Sequence, residues 1–518
     1  MADKPRWFQT AAIDYPNSRP HIGTAFEKLG ADVQARYRRM EGYDVCYLMG
    51  NDENTLKVAD RAKELGKSPQ EYCDEMARQF REVWDALDIS YDCFIQTSHE
   101  RHKACCKKFI QKVYDNGHIF KGTYEGWYCA GCEEFKSDKF YEENAGNCPS
   151  HRKPLIRRVE PCYFFRLSAF QDRLVKFYQD NPDFIQPEIR RNEMLGLIEA
   201  EGLRDINISR QGEEWGIRMP FDPEFTIYVW FDALLTYITG IGYGDDEALF
   251  RKNWPADVHF IGKDITRFHC ALWPAMLWAA GEEAPKKVFS HGFVTINGDK
   301  MGKSMGNVVE PREIVAKSSV DAYRYFFMRE CGFPGDGDYS GQRYEEVYET
   351  ELVRKLGNLL SRCSTILAKN YAGTFEGTAG RIPAAVSNLD LKVFVGEVRA
   401  HVENCRYNLA LAAIVQQLIS PTDQYLEANA PWKLVKTDMA AAKEVLFNAI
   451  QSLRIASILL KPFIPRSAEA IYKSFNFDTP WESVDFAEAS ELKSTREDLK
   501  LVAELVDGKI KPLFPRIV

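Results

Sequence analysis

The chain has 518 residues, 45% hydrophobic and 27% charged, with a formal net charge of −8. At ~150 residues per domain this is material for three or four soluble globular domains, and the negative charge excludes whole-molecule attraction to nucleic acid, leaving local faces for any such contact. No apolar run reaches the ~18 residues of a membrane helix, and the polar start Met-Ala-Asp-Lys-Pro-Arg is no signal peptide. Thirteen scattered cysteines, with Cys105 and Cys106 adjacent, fit a reducing compartment, so a cytoplasmic protein without a membrane partner is expected.

The segment from Trp7 to Tyr37 sets the pattern for the rest. A buried strand (Trp7 to Ile13) runs into the turn-rich Asp14-Tyr15-Pro16-Asn17-Ser18-Arg19-Pro20, and a helix opens at His21-Ile22-Gly23-Thr24. Strand, short loop and helix start can aim backbone N–H groups at a phosphate. His21 adds a side-chain donor there, and Gly23, lacking Cβ, leaves the backbone open to a flat ring or a sugar. The plainer alternative is a histidine that merely caps a helix. A second strand, Tyr43 to Met49, ends in Gly50-Asn51-Asp52-Glu53-Asn54, where Asp52 could meet an ammonium group or simply belong to a turn. Amphipathic helical patterns follow over 58–87 and 101–116.

Cys129-Ala130-Gly131-Cys132 is followed, after fifteen residues, by Cys148-Pro149-Ser150-His151. Two such pairs supply Cys129, Cys132, Cys148 and His151 to a tetrahedral Zn²⁺, and four protein ligands leave no open position, so the metal is read as structural. A redox pair or unrelated cysteines are the alternatives. Beyond it, Tyr163 to Asn181 reads as an amphipathic helix, and Asp205 to Ser209 as a strand. Thr226 to Tyr237 reads as a strand running into a helix, with Trp230, Ala233, Leu234 and Tyr237 on one apolar face. That face is either plain core or the wall of an apolar pocket. His259 to Ile265 repeats the strand-then-helix logic through Gly262 and Asp264, with His269 in the helix. Val288 to Ile296 reads as one further strand, and Lys300-Met301-Gly302-Lys303-Ser304 forms a Gly-rich loop whose two lysines suit a polyphosphate.

Taken together, His21-Ile22-Gly23-Thr24 resembles the HIGH signature of class I aminoacyl-tRNA synthetases, and Lys300-Met301-Gly302-Lys303-Ser304 resembles their KMSKS loop. In detail the chain is similar to the methionyl-tRNA synthetase family over nearly its whole length, through Ala12-Ile13-Asp14-Tyr15, Tyr228 to Ala233, Phe260 to Asp264 and His291 to Val294. The resemblance implies an α/β fold: a Rossmann-type parallel-sheet catalytic domain (1–117 and 226–310) interrupted by a zinc-knuckle insertion (118–225). A connector (311–345) and an all-α helical anticodon-binding domain (346–518) then follow. It implies ATP-dependent activation of L-methionine and transfer to tRNA(Met), initiator or elongator, helped by Mg²⁺. His21, Lys300 and Lys303 would meet the phosphates, and Gly23, Thr24, Gly262 and Asp264 would line the ATP site. Asp52 would hold the methionine ammonium, and Ile13, Tyr15, Trp230, Ala233, Leu234, Tyr237, Ile265 and His269 would enclose the thioether.

Two departures stand out: Thr24 replaces the second His of HIGH, and Gly302 the first Ser of KMSKS. They motivate a rival, a synthetase-like protein that only binds tRNA. A synthetase for another amino acid is the second rival. The space between Gly117 and Thr226 is too short for the editing insertion of the isoleucine, valine and leucine enzymes beside the zinc knuckle, which favours methionine. In the helical region Leu352, Leu356, Leu359, Leu360, Cys363, Ile366 and Leu367 form an apolar stripe. By resemblance, Asn358, Arg362 and Trp432 read the anticodon by stacking and hydrogen bonding. Read without it, Arg362 is a solvated helix residue and Trp432 a core anchor. The chain closes at Val518 where some relatives continue into a dimerising domain, so a monomer is expected.

Overall fold

A computed structural model describes residues 4–129, 134–136, 138–149, 153–212, 214–302, 306–378, 380–381, 384 and 389–517. Eight strands organise its first half: β1 (Arg6–Ala11), β2 (Asp44–Asn51), β3 (Cys93–Gln96), β4 (Ile119–Cys129), β5 (Ile156–Phe165), β6 (Ile185–Gln186), β7 (Val258–Gly262) and β8 (Val288–His291). Six of them form one sheet in the order β3-β2-β1-β7-β8-β6, every neighbouring pair parallel. β7 is buried throughout and β1 over its last four residues, as strands covered on both faces must be. From β1 the chain steps outward to β2 and β3, crosses to the far edge of the sheet as β6, and returns beside β1 as β7. That reversal opens a crevice beyond the carboxyl ends of β1 and β7, where open α/β sheets take ligands.

The helix after β1, α1 (Ile22–Met40), is buried along almost its whole length. One side packs on the sheet, where Gln9 donates to the Ala31 carbonyl at 2.7 Å. The other side meets the helical region, where Tyr407 donates to the Gly30 carbonyl and Tyr37 to Glu403, both at 2.8 Å. Helix α2 (Val320–Glu330) precedes the helical region, which includes α3 (Asn358–Tyr371), α4 (Ser420–Asn429) and α5 (Met439–Leu460). α5 is buried from Val445 to Leu460 and forms the centre of the bundle. The apolar stripe from Leu352 to Leu367 is buried against it, with Ile366 only partly covered.

Three expectations are corrected. Tyr163 to Asn181 is not one helix: Tyr163, Phe164 and Phe165 end β5, and the α-helix begins at Gln171. Burial there alternates, with Tyr163 and Phe165 covered and Phe164 half-exposed, and β5 pairs antiparallel with β4 over ten residue pairs. Aromatic residues on a pleated surface outweigh a helical pattern that the polar stretch behind them resumes. Val288 to Ile296 is two strands, because β8 ends at His291 and Val294–Ile296 turns away to pair with Gly337–Tyr339 and Asp299–Lys300. At the break the Gly335 carbonyl comes so close to Gly292 that a Cβ there would lie 1.9 Å from it. The helix through Trp230 also divides, into Val229–Ala233 and Thr236–Thr239, although Ala233, Leu234 and Tyr237 stay buried.

Where α1 meets α2, Arg324 and Asp32 pair at 2.6 Å, both side chains fully buried. Arg324 also donates to the carbonyls of Phe463, Leu87, Asp88 and Pro462. Asp32 in turn accepts from Arg36 and Ser90.

Candidate active site

At the start of α1, His21 has extended backbone (φ −109°, ψ 173°) and caps the helix. Its Nδ1 accepts from the N–H groups of Gly23 (3.1 Å) and Thr24 (3.2 Å). A ring nitrogen that accepts twice carries no proton, so the imidazole proton sits on Nε2, which makes that atom a donor. The Ile22 N–H donates to the Val309 carbonyl at 3.1 Å. The expectation of bare backbone donors is therefore corrected: the first three helix N–H groups are engaged, and His21 is the group at this helix start equipped to donate to an anion. The Thr24 hydroxyl lies 3.4 Å from both His21 ring nitrogens. Met301, from the Gly-rich loop, reaches over Gly23, and a Cβ on that glycine would lie 3.0 Å from the Met301 methyl group.

Across the crevice, the turn after β2 is buried: Asn51 and Glu53 fully, Asp52 and Asn54 nearly so. Glu53 is held by Gln96 and Ser98 and is pushed up to about 7 by burial. The Trp215 indole straps its carbonyl at 2.8 Å. Asp52 has its Oδ1 without a partner among the described residues. Burial, and then the neighbouring Glu53 charge, push its carboxyl well above the usual range. The Tyr15 hydroxyl stands beside it, with the Tyr15 ring 41% exposed at the mouth.

Behind the mouth lies an aromatic wall. Trp230 stacks on Phe268 with centroids 3.9 Å apart and meets the His269 ring edge-on. The Ile265 carbonyl lies 3.1 Å from His269 Nδ1, and the Tyr237 hydroxyl 2.8 Å from Nε2. A carbonyl can only accept, so Nδ1 carries the proton and Nε2 accepts from Tyr237. Burial lowers His269 to about 4, so it is neutral at physiological pH. Ala233 and Leu234 are buried, and Ile13 and Ile265 half-buried, at the same end of the sheet. Gly262 closes β7, and Asp264, two residues on, is exposed at the crevice rim.

Beneath this floor runs a buried charge chain that sequence reading missed. Lys28, fully buried, donates to the Ala12 carbonyl (2.6 Å), Asp14 (3.0 Å) and Glu27 (2.7 Å). Glu27 also pairs with His291 Nε2 at 3.0 Å. The network ties the ends of β1 and β8 to the first turns of α1. A charged pair set among Ala25, Phe26, Leu29 and Ala31 was the available signal.

The chain matches the family described as tRNA synthetases class I (M) over residues 7–154 and 150–364. It also matches the anticodon binding domain of methionyl tRNA ligase over 377–506. It is 41% identical to a methionine–tRNA ligase of Caldanaerobacter subterraneus, covering 99% of this chain and 79% of that one. With the enzyme of the same description from Nostoc the identity is 40%, over 98% and 96% of the two chains. Mycobacterium tuberculosis methionyl-tRNA synthetase in complex with methionyl-adenylate superposes with a TM-score of 0.86 at 35% identity, covering 99% and 100%. The chain belongs to the methionine–tRNA ligase family.

The remaining expected site residues of this family member are distributed as follows. Lys300 is exposed in the short strand Asp299–Lys300, and Lys303 lies outside the described residues. Asn307 clamps the loop, accepting from the Gly302 N–H at 2.9 Å and donating to the Lys300 carbonyl at 3.2 Å. Cys129 and Cys148 are both buried in one small cluster with Leu155, while Cys132 and His151 lie outside the described residues. Among the described residues no three His, Cys, Asp or Glu side chains gather as a metal site. In the helical region Arg362 lies 4.8 Å from the Trp432 ring centroid and pairs with Asp423 (2.9 Å) and Glu427 (2.7 Å) of α4. Asn358, one turn before Arg362 on α3, is exposed. No helix among the described residues is long and apolar enough to cross a membrane.

Proposed function

We propose a division of labour for the ligase reaction of this family, in which L-methionine is activated with ATP to methionyl-adenylate and then esterified to tRNA(Met). The methionine carboxylate attacks the ATP α-phosphorus in line, the bond to the bridging oxygen breaks, and pyrophosphate leaves. Little covalent chemistry falls to the protein, so catalysis is positioning and stabilisation of phosphate charge. His21 donates from Nε2 to the phosphates, joined by Lys300 and Lys303 when the loop closes. Gly23, Thr24, Gly262 and Asp264 line the adenosine site. Met301 vacates Gly23 for the nucleotide to lie on the backbone. Mg²⁺ enters on the phosphates as part of the nucleotide substrate.

Asp52 takes the substrate ammonium, and its buried Oδ1, without a partner among the described residues, is the single observation that carries this reading. Ile13, Tyr15, Trp230, Ala233, Leu234, Tyr237, Ile265 and His269 enclose the thioether, whose polarizable sulfur suits aromatic edges. The neutral His269, held from both ring nitrogens, gives the pocket a polar end without a charge.

Cys129, Cys132, Cys148 and His151 would hold a structural Zn²⁺. The donor chemistry fits, and the burial of Cys129 and Cys148 together in a patch with almost no other core supports it. When bound, the metal supplies the cross-links that such a polar insertion lacks. Asn358, Arg362 and Trp432 would take the anticodon of initiator and elongator tRNA, with Arg362 already stacked at the Trp432 ring. Catalytic (1–117, 226–310), insertion (118–225), connector (311–345) and helical (346–518) segments divide these tasks. The cytoplasm is the compartment we assign, on the scattered cysteines.

Pyrophosphate–ATP exchange against each of the twenty amino acids tests the function. Exchange with methionine alone is expected. Exchange with another amino acid would discard the pocket assignment, and none from folded, zinc-loaded protein would favour the tRNA-binding rival.

A further inference from the structure

The pocket contains a second buried acid with no role so far. Asp232, in the first turn after Tyr228, has no exposed surface. Its Oδ2 accepts from Asn54 Nδ2 at 3.0 Å, and its Oδ1 has no partner among the described residues. Asn54 belongs to the turn that carries Asp52, so the two acids share one wall. Beside them Asn51 is fully buried, with neither its amide oxygen nor its nitrogen engaged among the described residues.

Unpartnered buried oxygens are costly, and most so for charged groups. No ion pair with Asp52 or Asp232 occurs among the described residues. The nearby buried cation, Lys28, is committed to Ala12, Asp14 and Glu27. Arg210 is turned onto the Tyr228 ring, 4.6 Å from its centroid. Among the described residues the wall therefore lacks a cation with several N–H donors, which is the chemistry of a primary ammonium.

We infer that Asp232 is a second positioning carboxylate for the substrate ammonium, its Oδ1 and that of Asp52 accepting two of the three N–H donors. This rests on the assignment of Asp52 above. Burial is the largest cause pushing both carboxyls upward, with the Glu53 charge adding to it at Asp52 and the Asp52 charge at Asp232. Asn54 fixes Asp232 from behind, which leaves Oδ1 as the oxygen offered to the ligand.

The test compares two probes on the full chain: L-methioninol, which keeps the ammonium, and 4-(methylthio)butan-1-ol, which lacks it, each measured by equilibrium binding. The unmodified chain should prefer methioninol. Asp232→Asn should cut that preference ~10-fold, the scale of one charged hydrogen bond, with binding of the neutral alcohol unchanged. A merely structural role would weaken both probes alike, and that result, or an unchanged preference, overturns the inference while leaving Asp52 in place. If the unmodified chain itself shows no preference, the Asp52 assignment fails first, and the inference with it. Should Asp232→Asn not fold, the same ratio is read in Asn54→Ala, which releases the Asp232 carboxylate. A several-fold change supports the inference, and an unchanged ratio overturns it.

Discussion

Two buried acids, Asp32 and Asp52, sit in the same domain and have opposite surroundings. Asp32 spends both oxygens on Arg324, Arg36 and Ser90, and Arg324 spends its remaining donors on four carbonyls of the catalytic and helical regions. The arginines hold the Asp32 carboxyl well below its usual range despite burial. Among the described residues Asp52 has no paired cation and keeps an oxygen without a partner, and it is pushed upward instead. A buried charge whose neighbours satisfy it fixes how domains join. One left unsatisfied is a place kept for something that is not part of the chain.

The largest effect should come from breaking the satisfied pair. Arg324→Met leaves Asp32 with Arg36 as its one remaining cation among the described residues and should lower stability by ~3–5 kcal/mol in chemical denaturation. A loss under ~1 kcal/mol, the range of an exposed pair, would mean the junction is held by packing. Next, Lys303→Ala should slow adenylate formation ~10²–10³-fold, or ~2.7–4 kcal/mol of barrier, with stability unchanged. A single-turnover rate like that of the unmodified chain would remove the loop from the phosphate site.

Smallest is an effect of pH that separates the two kinds of acid. Glu53, pushed up to about 7, binds a proton more tightly folded than unfolded. It therefore costs nothing below the ordinary carboxylate range and costs stability progressively as pH rises towards about 7. Asp32 has the opposite sign: its stabilisation is present above the ordinary range and is lost on acidification. Glu53→Gln should flatten the fall in stability between weakly acidic and neutral pH, by at most ~1.4 kcal/mol per pH unit. An unaltered slope would show that Glu53 titrates normally.

Much of this was legible in the sequence, for a physical reason. The parallel strands are apolar runs that end in Gly, Asp and turn residues, so the sheet and its carboxyl edge could be read together. Asp52, His21 and the Trp230 to Tyr237 face were found that way, and resemblance then gave them roles. Three things were not legible. β4 and β5 alternate weakly within a polar insertion, so Tyr163 read as helix. The donor state of His21 depends on a cap that no residue spacing reveals. The partners of Arg324 lie 292 positions away at Asp32 and 139 at Phe463, and such pairing leaves no local pattern. Asp232 lies within the segment Tyr228 to Ala233, where no residue spacing marks an acid for a task.

The most direct measurement is Asp52→Asn, read for stability and for methionine kinetics together. Removing an unsatisfied buried charge should leave the unfolding midpoint equal or higher, while the KM for methionine rises ~10-fold or more and that for ATP stays put. A destabilised protein that still binds methionine normally would contradict the account, since Asp52 would then be architecture like Asp32.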